Sequence, residues 1–410
     1  MLPERSHHDT PRVVKIALIA GEISGDRLGA GLMSQLRLVY PHIHFYGIGG
    51  PQMTAAGLNV WYSFELLSVM GISAVLKRLP ALLRLRHQLV NRILQLQPDV
   101  LISIDAPDFT LGVAKRVHGG GIKTVHYVSP SIWAWRASRI RTIRQSVDVM
   151  LTLFPFEQAL YQQQQVKAVC VGHPLADQIG MKVDSKVARA ALQLMPNAPI
   201  LAILPGSRRS EIQYNLPVML QSVALLLNTK PQLQCVLPVA HEGLLPLIEL
   251  LIAASPAPVK QAVRLLQGQS TLAMSACDVV LLTSGTASLE AMLLKRPMVV
   301  MYKWSAISHA LISPWVKTPF VALPNILAGK KIVPEFVQSA CQPEAITEAL
   351  SLLFQGNRRA LLQDLFDTLH QSLKRDADVQ AAAAVWQLIA QDIKVLPTSP
   401  SEKVAETSLC

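Results

Sequence analysis

Val13-Val14-Lys15-Ile16-Ala17-Leu18-Ile19-Ala20 runs into Gly21-Glu22-Ile23-Ser24-Gly25-Asp26, and Arg27–Tyr40 follows. The first segment is apolar and rich in β-branched residues, which reads as a buried strand. The last places Leu28, Leu32, Leu36 and Val39 on one helical face. Strand, glycine-rich turn and helix open an α/β unit. The alternation continues outward. Phe45–Ile48 (ending at Gly49-Gly50-Pro51), Val100–Ile104, Thr124–Val128, Val147–Leu153 and Val169–Val171 read as strands, and Leu82–Leu96 as a helix stopped at Gln97-Pro98. Strands this apolar need cover on both faces, which implies a parallel sheet. The pattern then restarts, with strands at Ile200–Leu204, Gln234–Leu237, Val279–Leu282 and Pro297–Met301 and helices at Glu211–Leu227 and Ala287–Leu294. The reading is two Rossmann-like halves. Three further helical segments, Glu344–Phe354, Arg358–Leu373 and Val379–Ile393, precede a polar tail. The expected divisions are an extension over 1–14, domains over 15–172 and 173–355, C-terminal helices over 356–396 and a disordered tail over 397–410.

A chain of 410 residues suits two domains of about 150–200 residues each. Lys and Arg number 38 against 27 Asp and Glu, a formal net charge of +11, and 50% of the residues are hydrophobic. Collagen, coiled coil and intrinsic disorder are excluded. Mean hydropathy is +0.32. The longest uncharged runs, Asn215–Asn228 and Trp304–Val316, still fall short of the ~20 residues of a spanning helix. The opening ten residues lack the apolar segment of a secretory signal, so a cytoplasmic chain is expected. Cys170, Cys235, Cys277, Cys341 and Cys410 are scattered, which argues against a disulfide framework or a thiolate zinc site. No histidine pair has metal spacing. A basic balance suits nucleic acid, phospholipid or nucleotide substrates. Aromatics are only 5% and never interleave with a basic stretch, which disfavours nucleic acid.

Four turns can carry chemistry. Pro205-Gly206-Ser207-Arg208 joins a buried strand to a helix. Helix N-termini attract phosphate, Gly206 allows close approach, Ser207 offers a hydroxyl, and Arg208 has the planar fork that clamps a diphosphate. Arg209 stands beside it, so either arginine can take that role. Ser284-Gly285-Thr286 repeats the arrangement, and Glu290, one turn on, suits the two hydroxyls of a ribose. In the first half, Glu22, Ser24 and Gly25 can hold an acceptor sugar or shape the cleft, and Asp26 can cap a helix. The spacing is not that of a dinucleotide fingerprint. Asp105 ends a strand, where open α/β sheets bind ligands, and is placed to take a proton from a hydroxyl. Asp108 reads as a helix cap. His126 reads as a core histidine.

Leu66–Leu96 alternates leucines with Lys77, Arg78, Arg84, Arg86 and Arg92. An amphipathic core helix with a solvated basic face accounts for it, and so does an anionic lipid surface.

Together the motifs resemble those of lipid-A-disaccharide synthases. The shared segments are Gly21–Asp26 with Leu28-Gly29-Ala30-Gly31-Leu32, Gly49-Gly50-Pro51, Ile104-Asp105-Ala106-Pro107-Asp108-Phe109, His126–Arg136, Leu204–Arg208, Ser284–Glu290 and Leu323–Gly329, in the family's order. Tyr127-Val128-Ser129-Pro130-Ser131-Ile132-Trp133-Ala134-Trp135 is the most specific of them. The likeness spans roughly Lys15 to Ile393. It implies a GT-B glycosyltransferase, with two Rossmann-like domains facing across a cleft and C-terminal helices crossing back to the first domain. It implies inverting transfer of 2,3-diacylglucosamine from UDP to the 6-hydroxyl of 2,3-diacylglucosamine 1-phosphate (lipid X), without metal or cofactor. Asp105 and Arg208 become the catalytic pair, and Asn325 joins the nucleotide pocket. Acylated substrates give Leu66–Leu96 a purpose at an anionic membrane surface, on the cytoplasmic face of the inner membrane. The resemblance also suggests a homodimer. Two rivals are a GT-B enzyme acting on a soluble UDP-sugar and a basic nucleic-acid-binding protein. Neither accounts for Tyr127–Arg136.

Overall fold

The computed structural model describes residues 12–67, 72–134, 137–305 and 318–390. Most of Trp304–Val316, the 68–71 part of the basic stretch, Trp135, Arg136, the N-terminal extension, and the tail with Cys410 lie outside those residues.

Two parallel sheets are present. β1 (Val14–Ala20), β2 (Ile43–Gly49), β3 (Leu58–Ser63), β4 (Val100–Ile104), β5 (Lys123–Tyr127), β6 (Val149–Thr152) and β7 (Ala168–Cys170) take the order 3-2-1-4-5-6-7. β8 (Ile200–Leu204), β9 (Gln234–Val239), β10 (Val263–Gln267), β11 (Val279–Thr283), β12 (Met298–Tyr302) and β13 (Glu335–Val337) take the order 10-9-8-11-12-13. Both orders are that of the Rossmann fold. The strand order reverses between β1 and β4 and again between β8 and β11. Beyond the carboxyl ends at those two points lies the crevice in which such sheets bind ligands.

Each sheet has its own core. β4, β8 and β11 are buried throughout, as expected for strands covered on both faces. β3, β10 and β13 are absent from the sequence reading, and all three are sheet edges with partly exposed residues. The first helix begins at Ile23 rather than Arg27, so Ser24, Gly25 and Asp26 are in its first turn instead of a loop. Asp26 is buried and caps the neighbouring Pro51–Ala55 helix, accepting the N–H groups of Gly50 at 2.8 Å, Gln52 at 2.9 Å and Met53 at 3.0 Å. Cys170, Cys235, Cys277 and Cys341 are buried free thiols.

The chain crosses between the domains twice, side by side. His173 N donates to Leu373 O at 2.9 Å. Gly172 has φ +86°, and a Cβ there would sit 2.6 Å from Leu373 O, so only glycine fits. The Asp177 carboxylate accepts the N–H groups of Arg375 (3.0 Å), Asp376 (2.9 Å) and Ala377 (2.7 Å) on the returning strand. The Gly356–Leu373 helix stays with the second domain, burying Leu362, Phe366 and Leu373 in its core. Among the described residues only the Ala377–Ile389 helix returns, packing Ala381, Ala382, Val385 and Ile389 on the first. The crossing therefore falls after Leu373, later than the expected division at 356.

Candidate active site

The four turns singled out in the sequence follow β1, β4, β8 and β11, the strands on either side of the two reversal points. A cleft of about 740 Å³ lies between the domains. Glu22 and Ser24 line it from the first domain, and Gly206, Ser207, Arg208, Ser284, Gly285, Thr286 and Glu290 from the second. A smaller cavity, about 380 Å³, opens beside Asp105 and is walled by Leu79, Leu82, Leu83 and Phe109. Glu22 lines both cavities.

Asp105 is half-buried and left-handed, at φ +52°, and Ala106 follows at φ +46°. Two successive non-glycine residues in that region mark stored strain of the kind that gathers at functional sites. The Asp105 backbone N–H is held by Tyr127 O at 3.0 Å, and its Oδ1 accepts from Ala106 N at 2.8 Å. Burial raises the carboxyl above the ordinary aspartate range, while the Ala106 hydrogen bond lowers it. Burial also raises Glu22, helped by repulsion from Asp105 and opposed by Arg208. Asp108 is in the first turn of the Pro107–Gly119 helix rather than at its cap, and it pairs with Arg139.

The Arg208 side chain is 56% exposed and reaches Glu211 Oε1 at 3.4 Å. Glu211 was not singled out from the sequence. Its Oε2 accepts Ser207 N at 2.9 Å and Arg208 N at 3.2 Å, and Tyr302 OH donates to Oε1 at 3.4 Å. Two N–H groups of this turn, those of Ser207 and Arg208, are thus already taken by a carboxylate. Positive charge at this turn comes from the Arg208 guanidinium. Arg209 is exposed and does not line the cleft. Across the cleft floor, Gly285 precedes the Thr286–Leu293 helix, Ser284 Oγ donates to Val321 O at 2.6 Å, and Glu290 bonds Thr271 Oγ1.

Two expected site residues are elsewhere. Asn325 is fully buried: its Nδ2 donates to Val333 O at 3.0 Å and Glu335 Oε1 at 2.7 Å, and its Oδ1 accepts Ile332 N and Val333 N. It shapes the loop before β13 and does not face the cleft. Gly25 is buried where a Cβ would lie 3.4 Å from Ala20 and 3.5 Å from Ile104, so it sets helix-to-sheet packing. His126 is a core residue: its Nδ1 meets Ser103 Oγ at 2.7 Å, and burial lowers its pKa to about 3, leaving it neutral.

Paired Rossmann sheets with a cleft between their reversal points define the GT-B class of fold. Solved structures share the fold. The glycotransferase of kitacinnamycin aligns with TM-score 0.62 and 14% identity over 92% of this chain and 100% of its own. The UDP-GlcNAc 2-epimerase of Neisseria meningitidis aligns with TM-score 0.57 and 13% identity over 92% and 100%. Sequence relatives are much nearer. The lipid-A-disaccharide synthase of Chromohalobacter salexigens is 48% identical over 95% of this chain and 100% of its own. That of Pseudomonas aeruginosa is 46% identical over 92% and 98%. The profile of the family described as Lipid-A-disaccharide synthetase matches residues 16–385. The chain belongs to that family and is a glycosyltransferase of lipid A biosynthesis.

Proposed function

We propose that the protein transfers 2,3-diacylglucosamine from UDP to the 6-hydroxyl of lipid X, inverting the anomeric carbon and releasing UDP. One observation carries the reading: Asp105 stands at a cavity walled by leucines that adjoins, through Glu22, a cleft lined by Ser207, Arg208, Ser284, Thr286 and Glu290. Hydroxyls, a guanidinium and a carboxylate suit a nucleotide diphosphate, and leucines suit an acylated sugar. Asp105 takes the proton of the attacking hydroxyl, and its raised pKa makes it a stronger base. Arg208 meets the negative charge that grows on the departing diphosphate. Glu290 receives the ribose hydroxyls. A rival acting on a soluble UDP-sugar would not need leucines beside its base.

The membrane part of the reading draws on charge. The helices Ile72–Leu96, Pro107–Gly119 and Arg139–Arg144 cover one face of the first sheet and together carry ten Lys or Arg and one Asp. Arg84, Arg92, Lys115, Arg116, Arg141 and Arg144 are exposed on them, as are Leu79 and Leu83. Exposed apolar groups among unopposed cations suit an anionic lipid surface. Among the described residues no helix is long and apolar enough to cross a membrane. We place the enzyme on the cytoplasmic face of the inner membrane. The homodimer rests on the family resemblance alone, and light scattering checks it.

The deciding experiment is UDP release in detergent micelles from UDP-2,3-diacylglucosamine, with and without lipid X, with UDP-GlcNAc as control donor. Release that needs both acylated substrates supports the proposal. Release from UDP-GlcNAc without lipid X overturns the lipid reading.

A further inference from the structure

The apolar cavity beside Asp105 contains a cation that the reaction as described does not use. Arg86 is the only Lys or Arg among its described lining residues. It follows Leu82 by four residues and Leu83 by three, so the three share one helical face at the cavity. Its Nε is buried without a hydrogen-bond partner. No described carboxylate lies within ion-pair distance of it, and the nearby Asp108 pairs with Arg139. The guanidinium lies against the Pro107–Gly119 helix at Gly112, where a Cβ would come within 2.8 Å of Nη1. A larger residue there would push the arginine aside.

Glu22, Asp105 and Asp108 share the lining, yet none of them pairs with Arg86, and an arginine with a buried donor left unused is short of an anion. The planar guanidinium matches a phosphate or a carboxylate bidentately, and of these the acceptor in the reaction proposed above carries a phosphate. We propose that Arg86 binds the phosphate of the acceptor and so selects a phosphorylated acylated sugar over its unphosphorylated form. Leucines on the same face take the acyl chains, and Asp105 on the facing wall takes the hydroxyl. This rests on the acceptor reading above and adds to it the group that the cavity recognises.

The test uses the full-length enzyme in micelles, with diacylglucosamine 1-phosphate and the same diacylglucosamine without phosphate as acceptors. The wild type should favour the phosphorylated acceptor in kcat/KM. Arg86→Gln should raise KM for it at least tenfold, with kcat and UDP affinity within twofold, and should abolish the preference. Arg86→Lys should recover part of it as a point charge. Arg86→Met, which keeps the stem beside Gly112, serves if the glutamine variant folds poorly. A preference that survives both substitutions overturns the proposal. Binding to anionic vesicles should be unchanged, and a parallel loss would assign Arg86 to membrane headgroups instead. Phosphate-dependent micelle binding without turnover separates failure of the enzymatic reading from failure of this one. Binding that is indifferent to Arg86 sinks the subsite itself.

Discussion

Glu22, at the end of β1, faces Arg208, at the end of β8, so a carboxylate of the first domain and a guanidinium of the second share one field. Asp105 adds a second carboxylate to the first domain's side. In the proposed reaction this arrangement would keep a base near the acceptor and a cation near the nucleotide.

Asp105→Asn should therefore lower kcat by about 10²–10⁴-fold while UDP affinity stays within twofold by calorimetry. Wild-type turnover should fall on acidification at a pH above that of a free aspartate, because burial raises this carboxyl and only its ionised form accepts a proton. Near-normal turnover in the variant would remove Asp105 from the role of base.

Arg208→Ala should lower kcat/KM for the nucleotide donor by about 10²–10³-fold, and Arg208→Lys should restore only part of it. Arg209→Ala should stay within threefold, since Arg209 lies outside the cleft lining. Equal losses at both positions in a steady-state assay would show that the diphosphate is shared between them.

Glu157 makes a prediction about stability. It is 3% exposed, accepts Trp133 Nε1 and Phe154 N at 3.2 Å each, and is pushed up to about 7 by burial, which those hydrogen bonds do not offset. The folded state thus holds this proton more tightly than the unfolded chain, whose value is 4.5. The contribution is full below about pH 4.5 and is lost as pH rises to about 7. Glu157→Gln, which is uncharged and similar in shape, should flatten that part of the stability curve. Urea melts at pH 5 and pH 8 would read it, and parallel curves for the two proteins would reject it.

Asp177→Ala should leave three N–H groups of the returning strand without their acceptor, at a cost of about 1–3 kcal/mol. Hydrogen exchange should speed up first in the Ala377–Ile389 helix. Unaltered protection there would mean that side-chain packing alone holds it.

How much of this was legible depended on where the signal lay along the chain. β4, β8 and β11 announce themselves because burial on both faces demands an unbroken apolar run. β3, β10 and β13 do not, because most of their residues are shared with solvent, unlike those of the edge strand β7, so no apolar run forms. Glu22, Asp105, Arg208 and Ser284–Thr286 stand out in the sequence because each lies in a turn that follows a buried strand. Glu211 was missed because its partners are the backbone of its own turn, which residue identity does not reveal. Arg86 reads only as one cation in a basic stretch, since Gly112 reaches it through tertiary packing. Asn325 was misplaced for the converse reason: a polar residue beside a nucleotide-binding half looks available until its four hydrogen bonds to residues 332–335 are seen.

The late crossing after Leu373 also orders events at the ribosome. The first domain is translated first, yet part of its core is a helix that emerges only after the whole second domain. Until then the seat of Ala381, Val385 and Ile389 stays open and sticky. A nascent chain of this enzyme carries an unfinished amino-terminal half through most of its synthesis. Termination between Leu373 and Ala377 would therefore harm the half that was made first, while leaving the later half with its core complete.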